Sequence, residues 1–456
     1  MKKVFLTIFA AFISATLAAQ TIADTATLTL DQCRERALRH SREMQHADNS
    51  LQQAELMRKA MLTNFFPQVE GTAMGIYMQD QELANIPYML ELNLLMHGTY
   101  MCGFQLTQPL FAGGKIVNGY KLTQVGVEVS KEQQRQQRAQ TIADVDKAYW
   151  TYVAVLSKVR LLKDYQAQLD TLLEQVNTSV NVGMATDYDQ MQVRTARSNI
   201  LYQLKRAQSG ATLCRLSLSR MTGIVADSVF LIPDTAISSN ILTQGKGQTL
   251  SLDFSDRPEM NLLRQQLKAS ELQVKMARAD YLPTFGLALG YSWFGNMKMT
   301  GSFYLPQLGS IPLDPPLQGE IDKEFTSNSP MVMLSLKVPL TKWVEGGFKI
   351  KKAKLDVANS RLDLENNTEL MRLEVQQAAS NLEDSYELIS AALDALNAAT
   401  EQLRVTRNRY NVSLAPLSDL LDAQSKWQQA ESDYLEARTQ CLIYRTEYLR
   451  VTGGLE

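Results

Sequence analysis

The chain has 456 residues, with 46 Lys and Arg against 48 Asp and Glu, a net charge of −2 and a pI near 6.1. That balance excludes the basic excess of a nucleic-acid binder, and a composition of 45% hydrophobic and 21% charged residues excludes a globally disordered chain. Length alone, at roughly 150 residues per domain, predicts three domains.

At the N-terminus, Lys2 and Lys3 precede an apolar run from Val4 to Leu17, and Ala18 and Ala19 follow. This is the layout of a cleaved secretory signal over residues 1–19. Cys33 lies too far downstream to be a lipoprotein cysteine. Beyond the signal no run of 18 apolar residues occurs, so a transmembrane helix is not expected. Two classes remain: a soluble exported protein, or one that crosses an outer membrane as β-structure.

Chemistry-bearing patterns are missing. Cys33, Cys102, Cys214 and Cys441 are scattered without a C-x-x-C pair and read as buried free thiols. His40, His46 and His97 have no metal-ligand spacing, and no nucleophile elbow, phosphate loop or dinucleotide fingerprint is present. No catalytic residue, metal or cofactor is expected.

The chain is instead an internal repeat. Glu43-Met44, Glu55-Leu56 and Pro67 recur 216 positions later as Glu259-Met260, Glu271-Leu272 and Pro283. Pro109, Asn181-Val182, Ala185, Asp189, Ala207 and Thr222-Gly223 recur 230 positions later as Pro339, Asn411-Val412, Ala415, Asp419, Ala437 and Thr452-Gly453. The first repeat spans 28–223, a linker 224–255 and the second repeat 256–454. The offset grows between Pro283 and Pro339, where Asn296 to Asn328 is rich in Gly, Pro and Ser and reads as a loop insertion.

In chain order, each half predicts a helix, a strand pair, a long helix, a turn and a further helix. Leu30 to Asn64 reads as the first helix. Strand pairs follow within 66–111 and 283–340. Phe285, Leu287, Leu289, Tyr291 and Trp293 alternate with small or polar residues, as do Val332, Leu334, Leu336 and Val338, and Phe104 and Leu106; Val69 to Tyr77 is weaker. Such period-2 alternation suits membrane barrel strands, with an apolar face to lipid, and also suits an ordinary half-buried sheet, which on period alone is commoner. Lys115 to Val180 and Phe348 to Tyr410 read as long helices, with turns at 181–188 and 411–418 after them. Ala423, Trp427, Ala430, Tyr434, Ala437, Cys441, Tyr444 and Tyr448 then recur every 3.5 residues, a coiled-coil seam. Its counterpart runs from Val193 to Leu218, broken once by Arg197. The fold class is thus mainly α, with long antiparallel coiled-coil helices and four membrane β-strands per chain. If these strands span a membrane, four cannot close a barrel in lipid, and several copies must build it together.

This duplicated plan, from Leu28 to Gly454, resembles the TolC family of outer membrane efflux proteins. The residues that carry the resemblance are Phe66-Pro67 and Leu282-Pro283 opening the strands, and Gln108-Pro109-Leu110-Phe111-x-Gly113-Gly114 closing them. Val338-Pro339-Leu340 with Gly346-Gly347 is a degraded copy of that second element. The turn segments Asn181-Val182-Gly183 with Asp189, and Tyr410-Asn411-Val412-Ser413 with Asp419-Leu420-Leu421-Asp422-Ala423, complete it.

The resemblance implies a homotrimer with a twelve-stranded barrel in outer-membrane lipid and a twelve-helix periplasmic tunnel. A periplasmic adaptor and an inner-membrane transporter would deliver the cargo, and no covalent chemistry would occur in the duct. By the same resemblance Asp419, Asp422 and Asp189 ring a constriction. Val182, Gly183, Met184 and Ala185, with Val412, Ser413, Leu414 and Ala415, form tips that dock the adaptor. The residues also carry a plainer reading: Asp419 and Asp189 stand where helix N-caps belong, and the tips are tight turns. Ser413 and Ala415 replace a Gly and a basic residue common in the family, so the same salt-bridge lock is not expected here. The alternative function is a soluble periplasmic coiled-coil scaffold or adaptor.

Overall fold

The computed structural model describes residues 28–79, 81–96, 98–224, 250–308, 311–341 and 343–455. The expected signal at 1–19 and most of the linker at 224–255 lie outside them. The chain forms two compact units, one from Met1–Leu51, Val129–Arg264 and Asp363–Glu456, the other from Gln52–Glu128 and Gln265–Leu362.

In chain order the elements are α1 (Leu30–His40), α2 (Arg42–Thr63), β1 (Gln68–Ile76), β2 (Gln81–Ile86), β3 (Leu90–Leu95), β4 (Thr99–Ala112), α3 (Lys115–Asn181) and α4 (Asp187–Thr222). The second half gives α5 (Pro258–Ala279), β5 (Thr284–Leu308), β6 (Ile311–Lys337), α6 (Trp343–Asn411) and α7 (Leu417–Val451). The helix expected across Leu30 to Asn64 is two helices. Ser41 is extended at φ −60 and ψ 127, and its hydroxyl accepts a hydrogen bond from Met44 N at 3.2 Å. A serine side chain that competes for backbone donors ends one helix and starts the next.

The helical unit is cored by two clusters. One gathers Leu28, Cys33, Tyr149, Trp150, Leu218 and Cys441; the other Leu162, Leu169, Val193, Leu204, Leu420 and Ala423. Every position of both predicted seams is buried or half-buried. The one break, Arg197, ion-pairs with Asp170, so the seam charge is matched. A second, polar stripe on α7 is also buried: Gln424, Gln428, Ser432, Thr439 and Thr446. Asp146 of α3 is fully buried and accepts hydrogen bonds from Arg34 Nε at 2.7 Å, Arg34 Nη2 at 2.5 Å and Thr446 Oγ1 at 2.8 Å. These satisfy a charge that would otherwise be costly to desolvate and tie α1, α3 and α7 together.

The other unit carries one six-stranded antiparallel sheet, where the sequence predicted four strands. The two extra strands, β2 and β3, form a hairpin between β1 and β4. Near the helices the order is β1-β4-β5-β6; farther along, β3 replaces β4 on the same edge of β5 and gives β2-β3-β5-β6. At each level the sheet is four strands wide. The stretch Asn296 to Asn328, expected as a loop, is strand in its described residues: β5 and β6 stay paired from Thr284–Lys337 to Leu308–Ile311. Its prolines misled the composition reading. Pro306 sits at a register shift of β5, and Pro312, Pro315 and Pro316 lie on β6, which within the chain pairs only with β5; a bulge or an edge strand tolerates a missing N–H.

Two faces emerge from the register. One carries Phe285, Leu287, Leu289, Tyr291 and Trp293 with their partners Leu336, Leu334 and Val332. The other carries Gly286, Gly290, Ser292, Ser335 and Ser329, with Met331 and Met333. Leu289, Trp293, Val332, Leu334 and Leu336 are exposed, Leu334 by 64%. A contiguous exposed apolar face of this kind marks a membrane or partner contact.

The glycine pairs that close the strands differ physically. Gly113 and Gly114 both have positive φ, 60 and 83, and a Cβ on Gly113 would stand 2.7 Å from Ala279 O. Gly346 and Gly347 lie inside α6, so the degraded copy is not a second turn. Gly346 makes room for the Tyr281 ring instead.

Candidate functional site at the two helical turns

The turns between α3 and α4 and between α6 and α7 are built alike. Gly183 N donates to Val180 O at 3.0 Å and Met184 N to Ser179 O at 2.8 Å; Ser413 N donates to Tyr410 O at 2.9 Å and Leu414 N to Arg409 O at 2.7 Å. Both need a left-handed residue at the same place, Gly183 at φ 74 and Ser413 at φ 60. The turn closes so tightly that apolar side chains are expelled. Val182, Met184, Val412 and Leu414 are 63 to 84% exposed, while Ala185 and Ala415 are half-buried. Arg409 Nη2 reaches Leu414 O at 3.4 Å and braces the second turn.

The helix starts beyond the turns differ from expectation. The N-cap of α4 is Thr186, not Asp189. Asp189 is its capping-box partner, accepting from Thr186 N at 3.0 Å and Thr186 Oγ1 at 2.7 Å. These hydrogen bonds hold the Asp189 carboxyl below its ordinary value. In α7 the N-cap is Pro416, which offers no side-chain cap. Asp419 is the third residue of that helix and exposed, and it cannot return a capping-box hydrogen bond because Pro416 has no N–H. Asp422 is exposed too, with Lys426 Nζ 2.8 Å from its Oδ2. The second turn therefore presents one carboxylate without a cap partner and one matched by a lysine on its own helix.

The structure adds Tyr410, which spacing could not reveal because its repeat counterpart is Val180. Burial first, then the nearby Asp189 charge, raises its phenol above the ordinary value of 10. A residue flanking one turn thus lies within electrostatic reach of a residue flanking the other. Gln190 Nε2 donates to Asn177 Oδ1 at 2.7 Å and locks the first hairpin just above its turn.

Among the described residues no group of three or more His, Cys, Asp or Glu is placed to hold a metal ion, and no helix is long and apolar enough to cross a membrane. The sheet thus carries an exposed apolar band on one face, and the seamed helices end in two tight turns with exposed apolar side chains. The chain belongs to the outer membrane efflux protein family, whose model matches residues 33–223 and 251–454. It is 20% identical over 353 residues to the outer membrane efflux protein BepC of Brucella suis biovar 1 (strain 1330), covering 77% of this chain and 72% of that one.

Solved structures share the fold. CusC aligns with a TM-score of 0.75 at 14% identity, over 94% of this chain and 92% of its own. The CmeC outer membrane channel of Campylobacter jejuni aligns with a TM-score of 0.71 at 17% identity, over 96% and 90%. Family membership places the chain in the outer membrane, with its helical part in the periplasm, as a transport conduit and not an enzyme. The soluble-scaffold alternative is set aside on the same ground.

Proposed function

We propose that three copies form a gated exit duct, through which an inner-membrane transporter and a periplasmic adaptor pass substrates to the outside. The observation that carries this reading is the sheet. It is four strands wide, apolar on one face along the stretch of β5 that pairs with β4, and open along β6 on one side and β1 and then β2 on the other. Open edges in hydrocarbon leave backbone groups without partners, so other copies must pair with them. Twelve strands from three copies make a closed barrel of ordinary size.

The helices support the same reading. The α7 stripe from Gln424 to Thr446 is buried within one chain. Its counterparts on α4, 230 positions earlier, are Arg194, Ser198, Tyr202, Ser209 and Leu216, all exposed. A face covered in one repeat and bare in the other fits a ring in which the next copy covers it.

The duct conducts passively, and the two turns gate it. Asp419, Asp422 and Asp189 supply a threefold set of carboxylates at the constriction, and Val182 to Ala185 with Val412 to Ala415 supply apolar knobs for the adaptor. Because Lys426 offsets Asp422 and Thr186 occupies Asp189, Asp419 carries most of the field. Planar-bilayer recording of the purified protein tests this. Cation-selective pores are expected, with Asp419→Ala lowering selectivity more than Asp422→Ala. Unchanged selectivity in the double variant would remove both aspartates from the gate, and a monomer without pores would overturn the duct.

A further inference from the structure

The apolar face of the sheet changes sides part-way along β5. Strand β6 is regular there, so its even-numbered side chains keep one face from Leu336, Leu334 and Val332 to Glu324, Asp322 and Glu320. Strand β5 has an extra residue: between the pairs Phe294–Ser327 and Met297–Phe325, Gly295 and Asn296 stand opposite Thr326 alone, and Asn296 has φ 59. Such a bulge reverses which alternate residues face each way. Beyond it, the face that held Phe285 to Trp293 holds Lys298, Thr300 and Ser302, paired with Glu324, Asp322 and Glu320, and Glu91 lies beside Ser302. Acidic groups dominate this face; Lys298 Nζ lies 3.8 Å from Glu324. Apart from the exposed Lys323 opposite Met299, the other face, small and polar before the bulge, becomes apolar: Leu90, Leu92, Leu94, Met299, Phe303 and Ile321. All six are half-buried, and the Phe303 ring lies over Gly319.

The distance to the bulge has a physical meaning. Eight residue steps from Phe285 to Trp293 at about 3.3 Å cover roughly 26 Å of strand, or roughly 20 Å along the normal at a 40° tilt. That approaches the ~25 Å apolar band of outer-membrane barrels. The outward face is therefore apolar only as far as lipid requires, and turns acidic where water begins. Its reverse, which turns apolar at the same level, points toward the barrel axis. Eight strands enclose an interior that side chains fill and sixteen leave an aqueous channel, so a twelve-stranded mouth is narrowed by these side chains without being plugged.

We propose that the apolar faces of three copies form a hydrophobic collar at the outer mouth, a site that takes the alkyl or aryl part of amphiphilic solutes as they leave. The proposal rests on the trimeric-barrel reading. The test is block of single-channel current by tetraalkylammonium ions of increasing arm length, added on the side of the β5–β6 tip. Block should strengthen by roughly sixty-fold between ethyl and pentyl arms if one arm seats in the collar, since its three added methylenes are worth about 0.8 kcal/mol each. Phe303→Asn and Leu92→Asn should flatten that dependence and raise conductance, whereas Ser302→Asn on the acidic face should leave both unchanged. Wild-type pores blocked equally by all arm lengths would overturn the collar while leaving the duct intact, a result that needs no variant to fold. A protein that forms no pores would overturn the trimeric duct, and the collar with it.

Discussion

Ser413 holds a left-handed backbone where the matching turn has Gly183, and a side chain in that region costs roughly 1 kcal/mol. The surrounding hydrogen bonds, Ser413 N to Tyr410 O and Leu414 N to Arg409 O, fix the conformation regardless. Ser413→Gly should therefore raise the urea midpoint of the detergent-solubilised protein slightly, by up to roughly 0.5 kcal/mol of stability once the added freedom of the unfolded glycine is subtracted. Gly183→Val should lower it by at least as much. A lower midpoint for Ser413→Gly would show that the serine side chain holds the turn. The turn motif itself was legible, since Asn181-Val182 and Asn411-Val412 repeat at a fixed offset. Its helix starts were not: Thr186 and Pro416 took the N-cap positions, because capping depends on where the chain leaves the turn, which a serine or aspartate count does not fix.

Among the elements, the sheet shows best how patterning and environment divide the work. Leu289 and Gln105 lie on β5 and β4 and face opposite sides of the sheet, since Leu289 pairs with Leu106 and Gln105 with Gly290. Leu289→Arg puts a charge on the exposed apolar band and should cost roughly 2–4 kcal/mol if that band sits mid-bilayer. Gln105→Arg, on the small and polar face, should be nearly neutral. Unfolding from lipid vesicles measures both; equal costs would mean that neither face is singled out by lipid. The alternation in β5 and β6 near the helices was readable from period 2. The continuation beyond Asn296 was not, because a bulge breaks the period and edge-strand prolines imitate loop composition. The β2–β3 hairpin is harder to read because its strands are only six residues long: β3 alternates Leu90, Leu92 and Leu94 with Glu91 and Asn93 and is held by β5, while β2 has no clear alternation and is held by β3 alone.

For the whole molecule, acid should loosen the helical unit through one cluster. Arg257, almost wholly buried, lies 2.9 Å from Glu259 and 2.6 Å from Glu374, and Arg450 lies 3.0 Å from Glu374. Burial pushes the Glu374 carboxyl up, but the two guanidinium groups outweigh it and leave the pKa below its ordinary 4.5. A depressed folded pKa means the carboxylate stabilises the fold above its unfolded value, and that contribution disappears as pH falls through the lowered one. Unfolding midpoints should thus drop as pH goes below 4.5 in the wild type and change less in Glu374→Gln. Parallel declines in both would assign acid sensitivity to other carboxylates. The cluster also follows the repeat: Glu259, Glu374 and Arg450 correspond to Glu43, Asp144 and Arg220, which gather around one cavity in the first half.

The sequence by itself determined the duplication, the heptad seams, the alternating strands and the family, because these are written in spacing, and spacing survives wherever periodic elements repeat. Four strands, too few to seal a barrel, already demanded other copies. Only the tertiary structure decided that the sheet stays four strands wide through a six-strand topology, that its apolar face reverses at Asn296, and that Asp189 is occupied by Thr186 while Asp419 has no cap partner. The sheet features arise from register between segments far apart in the chain, and no local pattern encodes a partner that lies 200 residues away; the two helix starts are local, but they depend on where the chain leaves each turn.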